Sequence, residues 1–250
     1  MQKLTKIQNE NPAYLKAAIL RGKSVVQPTV SKNKQGIRHL LTYQLWKSYS
    51  DRVIALMALV ILSPVIVIIA LIIRIDSPGN PIFRQERVGR DGCTFIINKF
   101  RTMHIDNDDN EYKAYLGRYI LENAPYQIDE NKQPIYKVIN DTRVTRFGAI
   151  LRKTNLDELP QFFNILKGEM SLIGPRPDIP FAVRMYREHH LKRLSVKPGI
   201  TGLWQIYGRK NQSFEDMVRL DLEYIEKKSL LFDAKILWQT AGIILSRDGS

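Results

Sequence analysis

Residues 151–177, LRKTNLDELPQFFNILKGEMSLIGPRP, decide how this chain is read. Pro160 is tolerated only in the first turn of a helix, where the N–H it lacks would have no partner. The segment therefore predicts a helix over Leu159–Lys167, with Asp157 at or near its N-cap and Gly168 ending it. A carboxylate at the positive end of a helix dipole is held ionised, which suits a nucleophile or a metal ligand. Asp is also an ordinary N-cap and Glu an ordinary first-turn residue, so Asp157-Glu158 alone does not choose between chemistry and capping.

The surroundings favour chemistry. Arg143, Arg146, Arg152 and Lys153 precede the pair, and Gly174-Pro175-Arg176-Pro177 follows it as a stiff turn that fixes one guanidinium between two prolines. A preorganised arginine suits bidentate recognition of phosphate. Further upstream, Ile82–Val88 and Thr94–Arg101 are extended runs joined by Gly89-Arg90-Asp91-Gly92 and predict a β-hairpin carrying Arg84, Gln85, Arg87, Lys99 and Arg101. Val53–Ile73 is apolar apart from Ser63 and long enough to cross a ~30 Å hydrocarbon layer. Pro64 predicts a kink at its midpoint. Lys47 and Arg52 before the run, and Arg74, Arg84, Arg87 and Arg90 after it, place cations at both ends, which the positive-inside rule satisfies best when both ends stay on one face. On these grounds a spanning helix and a re-entrant one remain open.

The remainder sets limits. The chain has 250 residues and a net charge of +13, which calls for an anionic partner: nucleic acid, anionic lipid or a nucleotide. No helix-turn-helix, zinc or RNA-binding signature supports nucleic acid. One cysteine, Cys93, excludes disulfides and thiolate metal clusters. Residues 1–42 read as a basic arm, 43–77 as a membrane segment and 78–250 as a catalytic domain with a variable section at 104–141. In that section Asp106, Asp108 and Asn110 imitate a calcium loop, but Glu111 stands where glycine is required. Helices are expected at Tyr112–Glu122, Phe181–Leu194, Phe214–Lys227 (with Asp221) and Phe232–Leu245, a surface loop at Pro125–Pro134 and a glycine-rich turn at Lys197–Gln205. His189-His190, adjacent on a helix, are expected to point in different directions and hold no metal.

The order Ser63-Pro64, PIFRQERVGRDG, KFRTM, the 151–177 stretch, KPGITGLWQ and LDLEYIEKKSLLFDAKIL resembles the monotopic polyprenyl-phosphate phosphoglycosyl transferases, a bacterial sugar transferase family, over residues 43 to 245. The resemblance implies an α+β, mostly helical fold with a re-entrant helix-break-helix, a β-hairpin and a cytosolic domain of short amphipathic helices. It implies transfer of sugar 1-phosphate from a UDP-sugar to polyprenyl phosphate with release of UMP, at the inner leaflet of the bacterial cytoplasmic membrane, initiating surface-glycan assembly. Asp157 is then the nucleophile and Glu158 binds Mg²⁺. Lys99, Arg101, Arg152 and Arg176 neutralise phosphate, while Arg84, Gln85, Arg87 and Asp221 complete the candidate substrate-binding set. A homodimer is compatible with this reading, and the sugar is not encoded in any motif.

Overall fold

The computed structural model describes residues 34–104, 110–136, 138, 141–208 and 212–245, so most of the basic arm lies outside the described residues. The apolar run lies within a long helix, α1 (Lys34–Asp76), which begins eight residues inside the expected arm. Its segment Thr42–Asp76 is long and apolar enough to cross a membrane. Pro64 lies inside this helix. It cannot donate to the Val60 carbonyl, and the Ser63 hydroxyl does so instead at 2.8 Å, so the broken turn keeps its polar groups satisfied.

The helix is buried at two places and bare between them. Ala55 and Leu59 are buried on the N-terminal arm, and Ile69 and Ile73 on the C-terminal arm. Between them Val60, Ile61, Val67 and Ile68 are each more than half exposed. Those residues are too apolar to face water in such numbers, which fits contact with lipid.

The hairpin forms as expected, β1 (Ile82–Val88) pairing antiparallel with β2 (Thr94–Phe100). The register sets Lys99 opposite Phe83, Ile97 opposite Gln85 and Phe95 opposite Arg87, so Gln85, Arg87 and Lys99 share one face. In the variable section, α2 (Asn110–Leu121) matches the expected helix within two residues, and the expected loop is pinned by a short ladder of β3 (Gln127–Ile128) and β4 (Pro134–Ile135).

α3 (Arg146–Thr154) is capped by Thr145, whose hydroxyl accepts from the Gly148 amide at 2.9 Å. The predicted central helix needs correction. Leu156–Glu158 forms a 3₁₀ turn, and the helix proper, α4, is Gln161–Lys167, with Pro160 in the capping position. Asp157 therefore caps no helix. Gly168 ends α4 with φ of 82°, the left-handed position that favours glycine.

Two strands escaped the sequence reading: β5 (Ser171–Ile173) and β6 (Gly199–Thr201), a parallel pair. A Cβ on Gly199 would lie 2.1 Å from the Gly174 amide nitrogen, so glycine is what lets the GPRP turn and the KPGITG segment meet backbone to backbone. The expected helix over Phe181–Leu194 is also corrected. It is α5 (Pro180–Val183), a turn at Arg184-Met185 that leads into an extended Arg187, α6 (Glu188–Leu191) and a 3₁₀ turn. The break lets Met185, His190 and Arg193 all turn inward, and their buried polar bonds outweigh helical continuity. After α7 (Leu203–Tyr207), α8 (Phe214–Lys227) and α9 (Leu230–Leu245) follow as expected.

The main core joins the N-terminal arm of α1 to the domain through Ala55, Ile97, Ile165, Leu172, Tyr224 and Ile236. A second cluster joins the C-terminal arm through Ile69, Ile73, Phe100 and Leu151, with Leu156 and Leu159 packed against it. The 3₁₀ turn carrying Asp157-Glu158 is thus clamped between two leucines, Leu156 and Leu159, that pack on the cluster holding Ile69 and Ile73 of α1.

Candidate active site

β2 brings Lys99, and the turn after β5 brings Arg176, onto a single oxygen. Lys99 Nζ lies 2.8 Å and Arg176 Nη2 2.6 Å from Glu158 Oε1. Charge-assisted bonds of this length on a largely buried carboxylate fix all three side chains. Burial works against the charge on Glu158, but Arg176 and Lys99 outweigh it and hold the carboxyl well below its usual range. Glu158 is consequently an anion at any physiological pH, with Oε2 free of hydrogen-bond partners among the described residues.

Asp157, one residue earlier, differs. Its carboxylate has no hydrogen bond or ion pair among the described residues. Burial pushes its pKa up, Lys99 pulls it down, Glu158 pushes it up, and Arg176 and Arg152 pull it down. The expectation that a helix dipole holds Asp157 ionised does not stand: Asp157 starts no α-helix, and burial raises its pKa on balance against the pull of Lys99, Arg176 and Arg152. Arg152 is aimed from α3, where its Nε donates to Thr102 Oγ1 at 2.9 Å and leaves its two terminal nitrogens without partners among the described residues. That placement depends on a close approach, since a Cβ on Gly148 would sit 2.2 Å from the Thr102 carbonyl oxygen.

Three sequence candidates leave the cluster. Arg101 is buried and spends Nη2 on the Ser77 carbonyl (2.7 Å) and hydroxyl (2.9 Å), anchoring the end of α1. Arg84 falls on the opposite face of the hairpin from Lys99. Asp221 is buried on α8 and accepts from Arg193 Nε at 2.7 Å. Gln85 and Arg87 stay near: Arg87 Nη1 donates to the Pro177 carbonyl at 3.0 Å and Nη2 to Gln85 at 2.6 Å, which holds the arginine turn from the hairpin side.

The sequence reading missed Arg193, which supports that turn from behind. Only 2 % of its side chain is exposed, and it donates to Asp221, to Asp178 at 2.9 Å, to Tyr186 and to the Arg176 carbonyl at 3.3 Å. Nothing but its burial sets it apart from the neighbouring Lys192, and burial needs the fold. His189 and His190 were expected to diverge. Instead both Nε2 atoms lie 3.0 Å from the Glu215 carboxylate. The Arg187 amide donates to His190 Nδ1, so the neutral ring carries its proton on Nε2 and gives it to Glu215. That nitrogen has no lone pair for a metal, and the cluster ties α6 to α8.

Asp157 and the free Glu158 oxygen are hard donors beside fixed cations, a set that fits Mg²⁺, an ion commonly held by one or two carboxylates together with substrate phosphates. Fold and site define a class: a mixed domain seated on a long apolar helix, presenting a carboxylate pair to a cluster of cations. Residues 42–247 match the family model described as bacterial sugar transferase, and the chain belongs to that family. It is 39 % identical over 201 residues to an undecaprenyl-phosphate galactose phosphotransferase of Salmonella typhimurium, covering 80 % of this chain and 40 % of that protein. It is 38 % identical over 223 residues to the UDP-glucose:undecaprenyl-phosphate glucose-1-phosphate transferase of Escherichia coli, covering 86 % and 42 %. It is 36 % identical over 200 residues to the exopolysaccharide production protein ExoY of Sinorhizobium fredii, covering 80 % and 85 %. The chain thus spans about two-fifths of the first two proteins and most of the third.

Proposed function

We propose that this chain is a phosphoglycosyl transferase: it moves a sugar 1-phosphate from a UDP-sugar to a polyprenyl phosphate, through a covalent intermediate on Asp157. The observation that carries the reading is the partner-free Asp157 carboxylate, packed beside Lys99, Arg176 and Arg152, next to a Glu158 already satisfied by two of them. A structural carboxylate in that position would be expected to spend its oxygens on those cations. One reserved for phosphorus would not. The names of the Salmonella and Escherichia relatives support the donor and acceptor classes.

The chemistry needs an ionised nucleophile and fixed positive charge on the phosphates. An Asp157 oxygen attacks the β-phosphorus. The bond from that phosphorus to the bridging oxygen breaks, UMP leaves with the electron pair, and an acyl phosphate links Asp157 to the sugar phosphate. A phosphate oxygen of the polyprenyl acceptor then attacks the same phosphorus and the Asp157 carboxylate departs, so no net proton transfer to protein is required. Arg176 and Lys99, held in place by Glu158, meet the charge on the transferred phosphate, and Arg152 turns its free nitrogens to the same region. Glu158, through its free Oε2, would hold Mg²⁺, which would supply charge neutralisation for the diphosphate.

The membrane reading is re-entrant, with both ends of the apolar helix and the catalytic domain on the cytoplasmic face of the bacterial membrane. Ala55 joins the cluster of Ile165 and Ile73 the cluster around Leu159. Eighteen residues of straight helix would separate Ala55 and Ile73 by about 27 Å, whereas Leu159 and Ile165 are six residues apart, about 9 Å at helical rise. A bend at Ser63-Pro64 brings both arms to these neighbouring sites. Lys47, which bonds Asp233 at 2.7 Å, and Ser77, which bonds Arg101, tether both ends to one domain.

The deciding experiment supplies polyprenyl phosphate, Mg²⁺ and a panel of UDP-sugars and identifies the nucleotide released. UMP supports phosphoglycosyl transfer; UDP would move the protein to direct glycosyl transfer.

A further inference from the structure

The strand that leads into the arginine turn is tied to the N-terminal arm of α1 by buried polar bonds. β5 ends at Ile173, and Gly174-Pro175-Arg176 follows at once. Ser171 on that strand donates its hydroxyl to Asp51 Oδ2 of α1 at 2.6 Å. The Tyr224 hydroxyl of α8 lies 3.1 Å from the Ile173 carbonyl and 2.9 Å from Asp233 Oδ1 of α9. Asp233 Oδ2 in turn accepts from Tyr43 at 3.0 Å and from Lys47 at 2.7 Å, both on α1. Two routes, one direct and one through α9 and α8, therefore join the same arm to the same strand.

Asp51, Ser171, Tyr224 and Asp233 are all buried. One cation serves both carboxylates, since Lys47 Nζ lies 2.7 Å from Asp233 and 3.9 Å from Asp51. Burying ionised groups adds little net stability, and well-packed apolar side chains of similar volume often hold a fold as well or better. What the polar bonds add is direction. The apolar contacts of this region, through Ala55, Leu172 and Ile236, are non-directional, whereas hydrogen bonds of this length fix the register of α1 against β5. The turn passes that register on. The Gly174 amide donates to the Thr201 carbonyl at 3.0 Å, the Pro175 carbonyl accepts from the Gly199 amide at 2.9 Å, and prolines on both sides of Arg176 lock their own φ. A shifted β5 has little slack to take up before Arg176.

We propose that Asp51 and Asp233, acting through Ser171 and Tyr224, are positioning residues that register the membrane helix against the arginine turn and so set Arg176 for the transferred phosphate. They act on the reaction only through Arg176. This rests on the phosphoglycosyl-transfer reading, and the wild-type reaction keeps the two separable.

The test is a double-mutant cycle on the full chain in nanodiscs. Tyr224→Phe and Ser171→Ala each remove one hydroxyl and keep the packing, and each is made alone and combined with Arg176→Lys. UMP release and formation of the Asp157 adduct from UDP-sugar without acceptor are timed from seconds to hours, alongside thermal unfolding. In the wild-type background each hydroxyl variant is expected to slow adduct formation about tenfold, on the scale of a small misplacement of an active-site group. In the Arg176→Lys background the same change is expected to slow it less than twofold, because the residue it acts through is already altered. A purely structural role would lower the rate by the same factor in both backgrounds, and equal factors would overturn the proposal. So would wild-type rates in both hydroxyl variants, or in Arg176→Lys alone. Should one hydroxyl variant unfold, the other decides. If wild type releases UMP and the factors are equal, only this inference fails; if wild type releases none, the functional reading fails and takes the inference with it.

Discussion

Asp157 and Glu158 share a turn but not an environment, and the proposed chemistry rests on that difference. Glu158 is neutralised by two bonded cations and holds them in position; Asp157 is near the same cations with its oxygens uncommitted. The sign of its pH dependence follows. In the proposed mechanism only ionised Asp157 attacks; burial has moved its pKa up, and each nearby cation pulls it back. Removing one cation raises that pKa further, so Arg152→Met is expected to move the acid limb of the kcat/KM profile toward neutral pH, in addition to any fall in rate. An unmoved limb in the pH–rate profile would mean that another group titrates there. For Glu158→Gln, loss of the anion leaves Lys99 and Arg176 repelling each other, and a fall in kcat of at least about a hundredfold is expected, the scale of losing preorganised charge stabilisation. At this scale the sequence was informative where a motif stiffened a residue, as in GPRP, and silent where direction mattered. Arg84 and Arg87 look alike in sequence, and only the strand register separates them; Asp221 and Arg193 are one buried pair that no local pattern joins.

Three elements meet at the reactive turn. The C-terminal arm of α1 supports Leu156 and Leu159, β2 delivers Lys99, and the β5–β6 pair sets the position of Arg176 through the Gly174–Gly199 contact. Gly199→Ala is expected to destabilise the domain by about 1–3 kcal/mol, since its Cβ has no room and backbone must move; thermal or denaturant unfolding in detergent measures it. The hairpin, α8, α9 and α2 were legible because their periodicity or turn residues were unambiguous. The short parallel pair was not, because three-residue strands carry no period and their partner lies some thirty residues away. The 3₁₀ turn at Leu156–Glu158 was hidden by Pro160, which suits the start of a helix and gives no sign of where the preceding turn begins. The proposed re-entrant course of α1 is tested by cysteine labelling in a Cys93→Ser background: Gln44→Cys and Asp76→Cys, both exposed positions, should resist an impermeant external reagent in intact cells and react after permeabilisation. External labelling of one alone would mean a true span.

At the scale of the molecule, a basic domain is fixed to an apolar helix whose middle leaves Val60, Ile61, Val67 and Ile68 exposed, and the candidate carboxylates sit on a turn packed against that helix. In the proposed reaction such an arrangement would bring a water-soluble dianionic donor and a lipid-borne phosphate to one nucleophile. The composition already pointed to an anionic partner and a membrane, yet +13 would serve a lipid-binding adaptor equally well; the carboxylate pair inside the basic cluster separates the two. The central claim is that Asp157 carries the phosphosugar. Its most direct test omits the acceptor and follows exchange of labelled UMP into the UDP-sugar. Wild type should exchange label and accumulate a phosphosugar adduct on Asp157, and Asp157→Asn should do neither. Exchange that persists in Asp157→Asn would contradict the account.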